Sequence, residues 1–462
     1  MAAIGELRDL ANWRDGLISP AVLFDEEIYR LEQERVFGRA WLVVGHEDMI
    51  RKPGDYVTNY MGEVPVIVTR DMAGKIHVLV NRCAHRGNQV CLFDRGNTGA
   101  FTCSYHGWAY YLDGRLMSMP MERELYRGEL NKADWGLEEV PRFQNFKGLL
   151  FASFDAAAPP LEEWLGEDGC WWLQNFVLGA PVGGLEALPG WHRYRTPGNW
   201  KHLAENFIGD DYHVFAATHV AWFKVVQEFA EKGLLPLHHS YRARRGASLS
   251  PSERGEGEGG VRYEGSTGYG RGCPIGLGGV DLDELTYQGD LEDAKSLGAE
   301  AVEWVQYRYR RLREFLNGCE LKPYGFQNGC IFPNMAINSF TSPMQGRNWI
   351  LFHPRGPWEF EQWQWTMIER EAPPAIKQLA TERAYKGQYM AGTIAPDDVE
   401  NLERIAEAMR ARRNWRRVHH YGLQLGHEQE GPQGLPGNLG PNPSEVNQRN
   451  FYRFWVELME RE

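Results

Sequence analysis

The stretch 81–108, NRCAHRGNQVCLFDRGNTGAFTCSYHGW, constrains this chain more than any other part of it. It contains two metal-binding pairs, Cys83-x-His85 and Cys103-x2-His106, with seventeen residues between His85 and Cys103. Each pair offers one soft thiolate and one imidazole, a donor set suited to iron-sulfur or zinc chemistry. Common zinc fingers keep their cysteines together and their histidines together, whereas here each pair is mixed. Mixing serves a 2Fe-2S centre in which two thiolates hold one iron and two imidazoles hold the other.

Residues around these pairs alternate with period two. DYVTNYM, PVIVTRD, KIHVLVN, FTCSYHGWAYY and GLLFASF place β-branched or aromatic residues at every second position, and MAG and Asp113-Gly114 supply turns between them. They predict an antiparallel β domain over 37–155 with the four ligands at its strand tips. Before it, DEEIYRLEQERVFG predicts a helix from Asp25. After it, Ala156 to Trp164 reads as a linker because of its proline pair and small residues. The remainder mixes helical and strand patterns, with CIFPNMAINSF and NWILFHP as strands. The expected fold class is α+β, with 1–36 and 156–462 forming a larger second domain. Leu402, Ile405, Ala406 and Met409 form one apolar helical stripe near the C-terminus, and Phe451, Phe454, Trp455, Leu458 and Met459 form another. The Gly-rich tract 248–279 reads equally as a loop over a pocket or a surface excursion.

A net charge of -12 argues against a nucleic-acid-binding protein. The basic run Arg308 to Arg313 is better explained as a solvated helix face. No apolar run is long enough to cross a bilayer, and the first residues lack the pattern of a secretory leader, so the expected location is the cytoplasm. Beyond the two cluster cysteines, Cys91, Cys170, Cys273, Cys319 and Cys330 read as reduced, mostly buried thiols.

A second metal site is suggested by ENFIGDDYHVFAATH, Glu205 to His219, which holds two His and two Asp within its last ten residues. Such ligands suit non-haem iron, zinc or manganese. In a regular helix, side chains six apart point about 120 degrees from each other. His213 and His219 therefore share an ion only where the helix breaks or bulges, which Ala216-Ala217 would permit. His238-His239 and His419-His420 read as surface histidines, since neighbouring residues rarely aim at one ion.

CAHRG followed by CSYHGW resembles the Rieske loops of the aromatic-ring-hydroxylating oxygenases, large-subunit type. Glu205 to His219 resembles that family's iron-binding stretch nearly residue for residue, and Asp397-Asp398-Val399-Glu400-Asn401 matches its distant carboxylate segment. The resemblance extends to the IFPN strand and to the helix beginning NQRNF. It implies that Cys83, His85, Cys103 and His106 hold a Rieske 2Fe-2S cluster. His213 and His219 become ligands of a mononuclear iron, Asp210 a bridging carboxylate, and Asn206 a residue close to that iron. A facial triad needs one carboxylate more. Because Pro396, Asp397 and Glu400 have the form of a capping box, Asp397 is expected to cap a helix, leaving Asp398 for iron.

The implied activity is cis-dihydroxylation of an aromatic ring, hydrocarbon or carboxylate, by O2, as in aromatic hydrocarbon catabolism. The absence of an NADH fingerprint points to electrons from a ferredoxin served by a separate NADH-dependent reductase. The resemblance implies a homotrimer in which one chain's Rieske domain meets its neighbour's catalytic domain, with a small β subunit in many relatives (α3β3). The same two sites would also serve a monooxygenase or demethylase, and the cluster alone an electron carrier. Asp211 and Gln388 stand where many hydrocarbon-oxidising members have apolar or aromatic residues.

Overall fold

A computed structural model describes residues 7–188, 191–208, 210, 212–213, 217–219, 263–267, 271–272, 282–317, 326–340, 342–392, 394–430, 438–441 and 444–461. The chain divides into two compact units, Leu31–Trp164 and the combination of Met1–Arg30 with Leu165–Glu462.

The smaller unit is built from antiparallel strands, as the alternating pattern predicts. Asp55–Met61 (β2), Val64–Arg70 (β3), Ile76–Val80 (β4) and Arg95–Asn97 (β5) form a sheet of order β4-β3-β2-β5, and Leu42–His46 (β1) joins a separate sheet described below. Phe101–Thr102 (β6), Ala109–Tyr110 (β7) and Leu116–Ser118 (β8) form a second sheet in sequence order. FTCSYHGWAYY is thus two short strands flanking a loop rather than one long strand. Arg142–Phe146 (β9) and Leu149–Ser153 (β10) complete a third sheet of order β9-β10-β1. Cys83, Cys103, Trp108, Tyr110 and Leu79 are buried in one core cluster, so the ligand loops are rooted in apolar packing. The linker reading of 156–164 needs correction, because a helix begins at Leu161 and Leu161 itself is fully buried.

The larger unit centres on a six-stranded antiparallel sheet among the described residues. Leu185–Ala187 (β11), Phe326–Ile331 (β13), Met335–Phe340 (β14), Arg347–Pro354 (β15) and Glu359–Glu369 (β16) run in the order β11-β16-β15-β14-β13, and His192–Pro197 (β12) also pairs with β16. Trp200–Phe207 (α1) packs against β13 to β16. Leu282–Leu297 (α2) and Ala299–Asn317 (α3) pair with each other, Pro374–Gln388 (α4) packs on β15 and β16, Ala395–Met409 (α5) packs on β12, and Val446–Glu460 (α6) packs against α1. Both C-terminal stripes face the core: Phe451, Phe454, Trp455, Leu458 and Met459 are buried, as are Leu402 and Ala406. Burial of each large apolar side chain stabilises by about 1.5–3 kcal/mol, which fastens α5 to the sheet and α6 to α1.

Three further expectations change. Arg308 is not on a solvated face; it is 2% exposed and its guanidinium meets the Glu369 carboxylate at 3.0 Å, with Arg347 3.5 Å from the same oxygen. Arg310 and Arg311 are exposed as expected. Within the Gly-rich tract, Tyr263–Thr267 and Arg271–Gly272 are paired antiparallel strands, and the rest of that tract lies outside the described residues. Asp397 does not cap α5, which starts at Ala395 with Pro396 in its first turn. Proline's fixed φ suits that first turn, so the helix begins before the proline instead of after it. Cys91 and Cys330 are buried free thiols and Cys170 is partly buried; Cys273 and Cys319 lie outside the described residues. No helix among the described residues is long and apolar enough to cross a membrane.

Candidate metal centres

Cys83 and Cys103 open two loops of the same build. In each, the cysteine N–H donates to the carbonyl five residues on, Asn88 or Trp108, at 2.8 Å. The N–H four residues on, from Gly87 or Gly107, donates back to the cysteine carbonyl at 2.9 and 3.0 Å. Those two glycines have φ of +77° and +75°, the left-handed region that side chains resist. The histidine follows its cysteine by two residues in the first loop and by three in the second, and the two imidazoles lie 4.5 Å apart. His85 stacks on Trp108 at 4.9 Å with 5° between the rings, and the Tyr110 hydroxyl lies 3.1 Å from Cys83 Sγ. Neither contact was visible in the sequence, although both aromatics stand within seven residues of Cys103.

These loops fit a cluster. Burial would raise the Cys103 thiol, but the N–H groups of Tyr105 and His106, the Asn88 amide and Cys83 together bring it below its ordinary value, favouring thiolate. His85 is lowered by burial and by the nearby His106 and Arg86, so its imidazole is neutral, and its buried Nδ1 has no hydrogen-bond partner among the described residues. A neutral ring with an unpaired inward nitrogen is what a metal requires.

An alanine Cβ at Gly107 would lie 2.7 Å from Pro120 Cγ, whereas one at Gly87 would meet only Arg82 Nε at 3.6 Å. Left-handed backbone costs an alanine about 1–2 kcal/mol at either site. Gly107→Ala is therefore expected to lower cluster content, read as visible absorbance per mole of chain, more than Gly87→Ala does.

The second centre is built on α1. Asn199 is fully buried and caps the helix, its Oδ1 accepting from Lys201 N–H at 3.0 Å while His202 Nδ1 accepts from Asn199 N–H at 3.3 Å. One turn on, the half-buried Glu205 carboxylate accepts from the hydroxyls of Tyr421, at 2.9 Å, and Tyr452 of α6. This fixes the rotation of α1 and directs Asn206 to the site, where its Nδ2 lies 3.4 Å from both His213 Nε2 and Asp398 Oδ1.

Asp210 holds His213 twice: one carboxylate oxygen accepts from the backbone N–H at 3.3 Å, and the other lies 3.2 Å from ring Nδ1. Ala217 to His219 lie in a turn rather than in α-helix, and the His213 carbonyl accepts from Thr218 N–H, five residues on, at 2.9 Å. Such widening swings His219 back towards His213. Asp398 comes from the first turn of α5, where the helix dipole favours a carboxylate. Its Oδ1 lies 3.4 Å from His213 Nε2 and 3.1 Å from His219 Nε2.

One ligand atom from each of His213, His219 and Asp398 lies within 4.8 Å of the others, so these three could hold a metal ion. Burial would depress His213, but Asp210 and Asp398 outweigh it and push it up to about 10. Burial would raise Asp398, but His213 and His219 bring it down to about 2. Two imidazoles and a carboxylate form a borderline donor set that leaves other positions on an ion open, as non-haem iron oxygenation needs. Asp397, exposed and 3.7 Å from His219 Nδ1, stands outside this triangle. Asp211 and the side chain of Gln388 lie outside the described residues, as do His238 and His239. His419 and His420 pair with Leu17 and Ile18 in a small sheet and belong to neither centre.

Burial pushes Glu205 up to about 7, against its usual 4.5, despite the two tyrosine hydroxyls. Between those values the folded chain holds a proton that the unfolded chain has released. Stability from this group is thus fully present below pH 4.5 and fades as pH rises through 7. Glu205→Gln is expected to flatten that decline in urea unfolding measured from pH 5 to 8.

Comparison with known proteins agrees with both centres. Residues 40–141 match the Rieske [2Fe-2S] domain, and residues 187–461 match the ring hydroxylating alpha subunit (catalytic domain). The chain is similar to biphenyl 2,3-dioxygenase subunit alpha of Rhodococcus jostii (strain RHA1), 34% identical over 466 residues that cover 99% of this chain and 92% of the relative. Benzene 1,2-dioxygenase subunit alpha of Pseudomonas putida is 33% identical over 455 residues, covering 98% and 93%. In structure, naphthalene 1,2-dioxygenase from Rhodococcus sp. bound to indole superimposes with a TM-score of 0.78 at 28% identity, covering 99% of this chain and 98% of that one. Two cysteine-histidine loops in one unit and a two-histidine, one-carboxylate triangle in the other, matched along nearly the whole chain, place this protein in the ring-hydroxylating alpha-subunit family, as an iron-dependent dioxygenase subunit with a Rieske 2Fe-2S cluster and a mononuclear iron.

Proposed function

We propose that this chain is the oxygenase component of a multicomponent system that adds both atoms of O2 to an aromatic ring, giving a cis-dihydrodiol. His213, His219 and Asp398 would hold the mononuclear iron, and Cys83, His85, Cys103 and His106 the cluster. The observation that carries the reading is the convergence of His213, His219 and Asp398 within 4.8 Å from segments about 180 residues apart in sequence. When bound, the cluster supplies single electrons and the iron supplies the position at which O2 is activated against the ring.

The chain's own groups prepare that site. Asp210 fixes the tilt of the His213 ring through Nδ1, leaving Nε2 aimed at Asp398. Asn206 sets a polar amide between His213 and Asp398, where it restrains both. His219 is only 4% exposed.

Electrons would arrive from a ferredoxin reduced by a separate NADH-dependent reductase, in the cytoplasm. We assign Asp210 a second task, accepting a hydrogen bond from His106 of a neighbouring copy in a homotrimer, with a small β subunit as a further partner (α3β3). The test is turnover under labelled O2 with surrogate ferredoxin and reductase. A dihydrodiol carrying both labelled atoms supports the reading, and a phenol or dealkylated product carrying one label replaces it with monooxygenation.

A further inference from the structure

The sheet face beneath α1 sets buried polar residues among apolar ones such as Ile350, Phe352 and Phe360. Gly198, just before α1, would set a Cβ 3.4 Å from Phe360 Cε1, so α1 lies over the face that Phe360 shares with Gln362 and Thr366. Strand register puts Tyr194 opposite Gln362, and Asn348 opposite Thr366 and Asn338, on that same face. The opposite face carries Trp349, Trp363, Trp365 and Met367, all 2% exposed or less.

A continuous seam links this face to the iron site. Burial and then the Asp398 carboxylate raise the Tyr194 hydroxyl pKa, while the Gln362 amide touches that hydroxyl and offsets them in part. From Tyr194 the seam passes to His192 (5.6 Å between rings), to Tyr389 (5.3 Å), to Thr366 through a 2.7 Å hydroxyl contact, and to Asn348 Oδ1 at 3.4 Å. Asn348 is 0% exposed and Gln362 2% exposed. Yet Asn348 Nδ2 and Gln362 Oε1 have no hydrogen-bond partner among the described residues. A shielded polar atom left unpaired is costly and calls for a partner from outside the fold.

The partner's charge is also constrained. Among the described strand positions of this face there is no Lys or Arg; Arg193, Arg195 and Arg347 fall on the opposite face by register. Burial also lowers His192, keeping it neutral. An ionised carboxylate would find no Lys or Arg among the described strand positions of this face, and a bare hydrocarbon would leave Asn348 Nδ2 and Gln362 Oε1 unpaired.

We infer that this seam selects an uncharged arene bearing a hydrogen-bonding substituent, such as a phenol or amide, with Gln362 and Asn348 as its specificity-determining contacts. The inference rests on the oxygenase reading above and names its substrate class.

Calorimetric binding of biphenyl, 4-hydroxybiphenyl and biphenyl-4-carboxylate to the iron-loaded, cluster-loaded protein tests it. The hydroxylated probe is expected to bind about 10-fold or more tighter than biphenyl, and the carboxylate more weakly than either. Asn348→Leu and Gln362→Leu should each erase much of that ratio, lowering affinity for 4-hydroxybiphenyl more than affinity for biphenyl. A packing role alone would weaken both probes equally, and that result overturns the inference. If the leucine variants do not fold, the wild-type ranking decides, because equal binding of biphenyl and 4-hydroxybiphenyl means that water alone satisfies the amides. Turnover separates the two readings: dihydrodiol from biphenyl without preference for the phenol defeats this inference alone. The predicted binding order with no dihydroxylation of any probe defeats the oxygenase reading alone.

Discussion

Asp398→Ala is expected to yield a folded protein with its visible cluster spectrum intact, about one third of its iron missing, and turnover lowered by several orders of magnitude. Asp398 Oδ1 is the point on which both imidazoles close, at 3.4 and 3.1 Å. Without it, two neutral rings would have to hold a divalent ion alone, and the borderline metal loses its one anionic ligand. Asn206 cannot replace it, because its amide contacts Asp398 and His213 as a neutral group. The measurement is iron per chain by colorimetric assay beside cluster absorbance. Full iron retention in this variant would remove Asp398 from the ligand set.

Asp210→Asn is expected to separate iron binding from turnover. The amide fills the carboxylate's volume and can still accept from the His213 N–H, so the loop should keep its shape. What it loses is a negative charge 3.2 Å from His213 Nδ1, and with it the group that orients the ring and raises its basicity. A drop of about 100-fold or more in turnover is expected, with metal affinity falling by about 10-fold at most. The check is single-turnover product formation by protein loaded with iron and reduced beforehand. If the reduced cluster fails to reoxidise at the wild-type rate when substrate and O2 are added, Asp210 acts on electron transfer to the iron; if it reoxidises normally while product is lost, Asp210 acts on the iron site itself.

The cluster half was legible because its chemistry is contiguous. Cys83, His85, Cys103 and His106 fall within 24 residues, and the flanking strands alternate cleanly. His213 and His219 were likewise visible as a pair, along with the need for a break between them, now seen as the five-residue hydrogen bond from Thr218 to the His213 carbonyl. Asp398 was reached only through resemblance, since no local pattern links position 398 to 213. The capping argument offered for choosing it failed, because the helix starts at Ala395 and both aspartates lie in its first turn. Arg308 was misread because helical period reports which residues share a face and says nothing of what a distant Glu369 places against it. Tyr194, Gln362 and Asn348 went unnoticed for a related reason. Polar residues at alternate strand positions usually signal a solvent-facing side, and only tertiary packing shows Gln362 and Asn348 covered.

The two centres differ in how much of the chain must be in place before each can take its metal. The cysteine and histidine loops close within one short stretch, whereas the other triangle joins residues 213 and 398 across a nearly complete larger unit. Non-local closure comes late in folding and is the first to be lost on partial opening. Cells short of iron, or chelators used in purification, should accordingly leave a brown, well-folded and inactive protein whose defect is mended by adding ferrous salt.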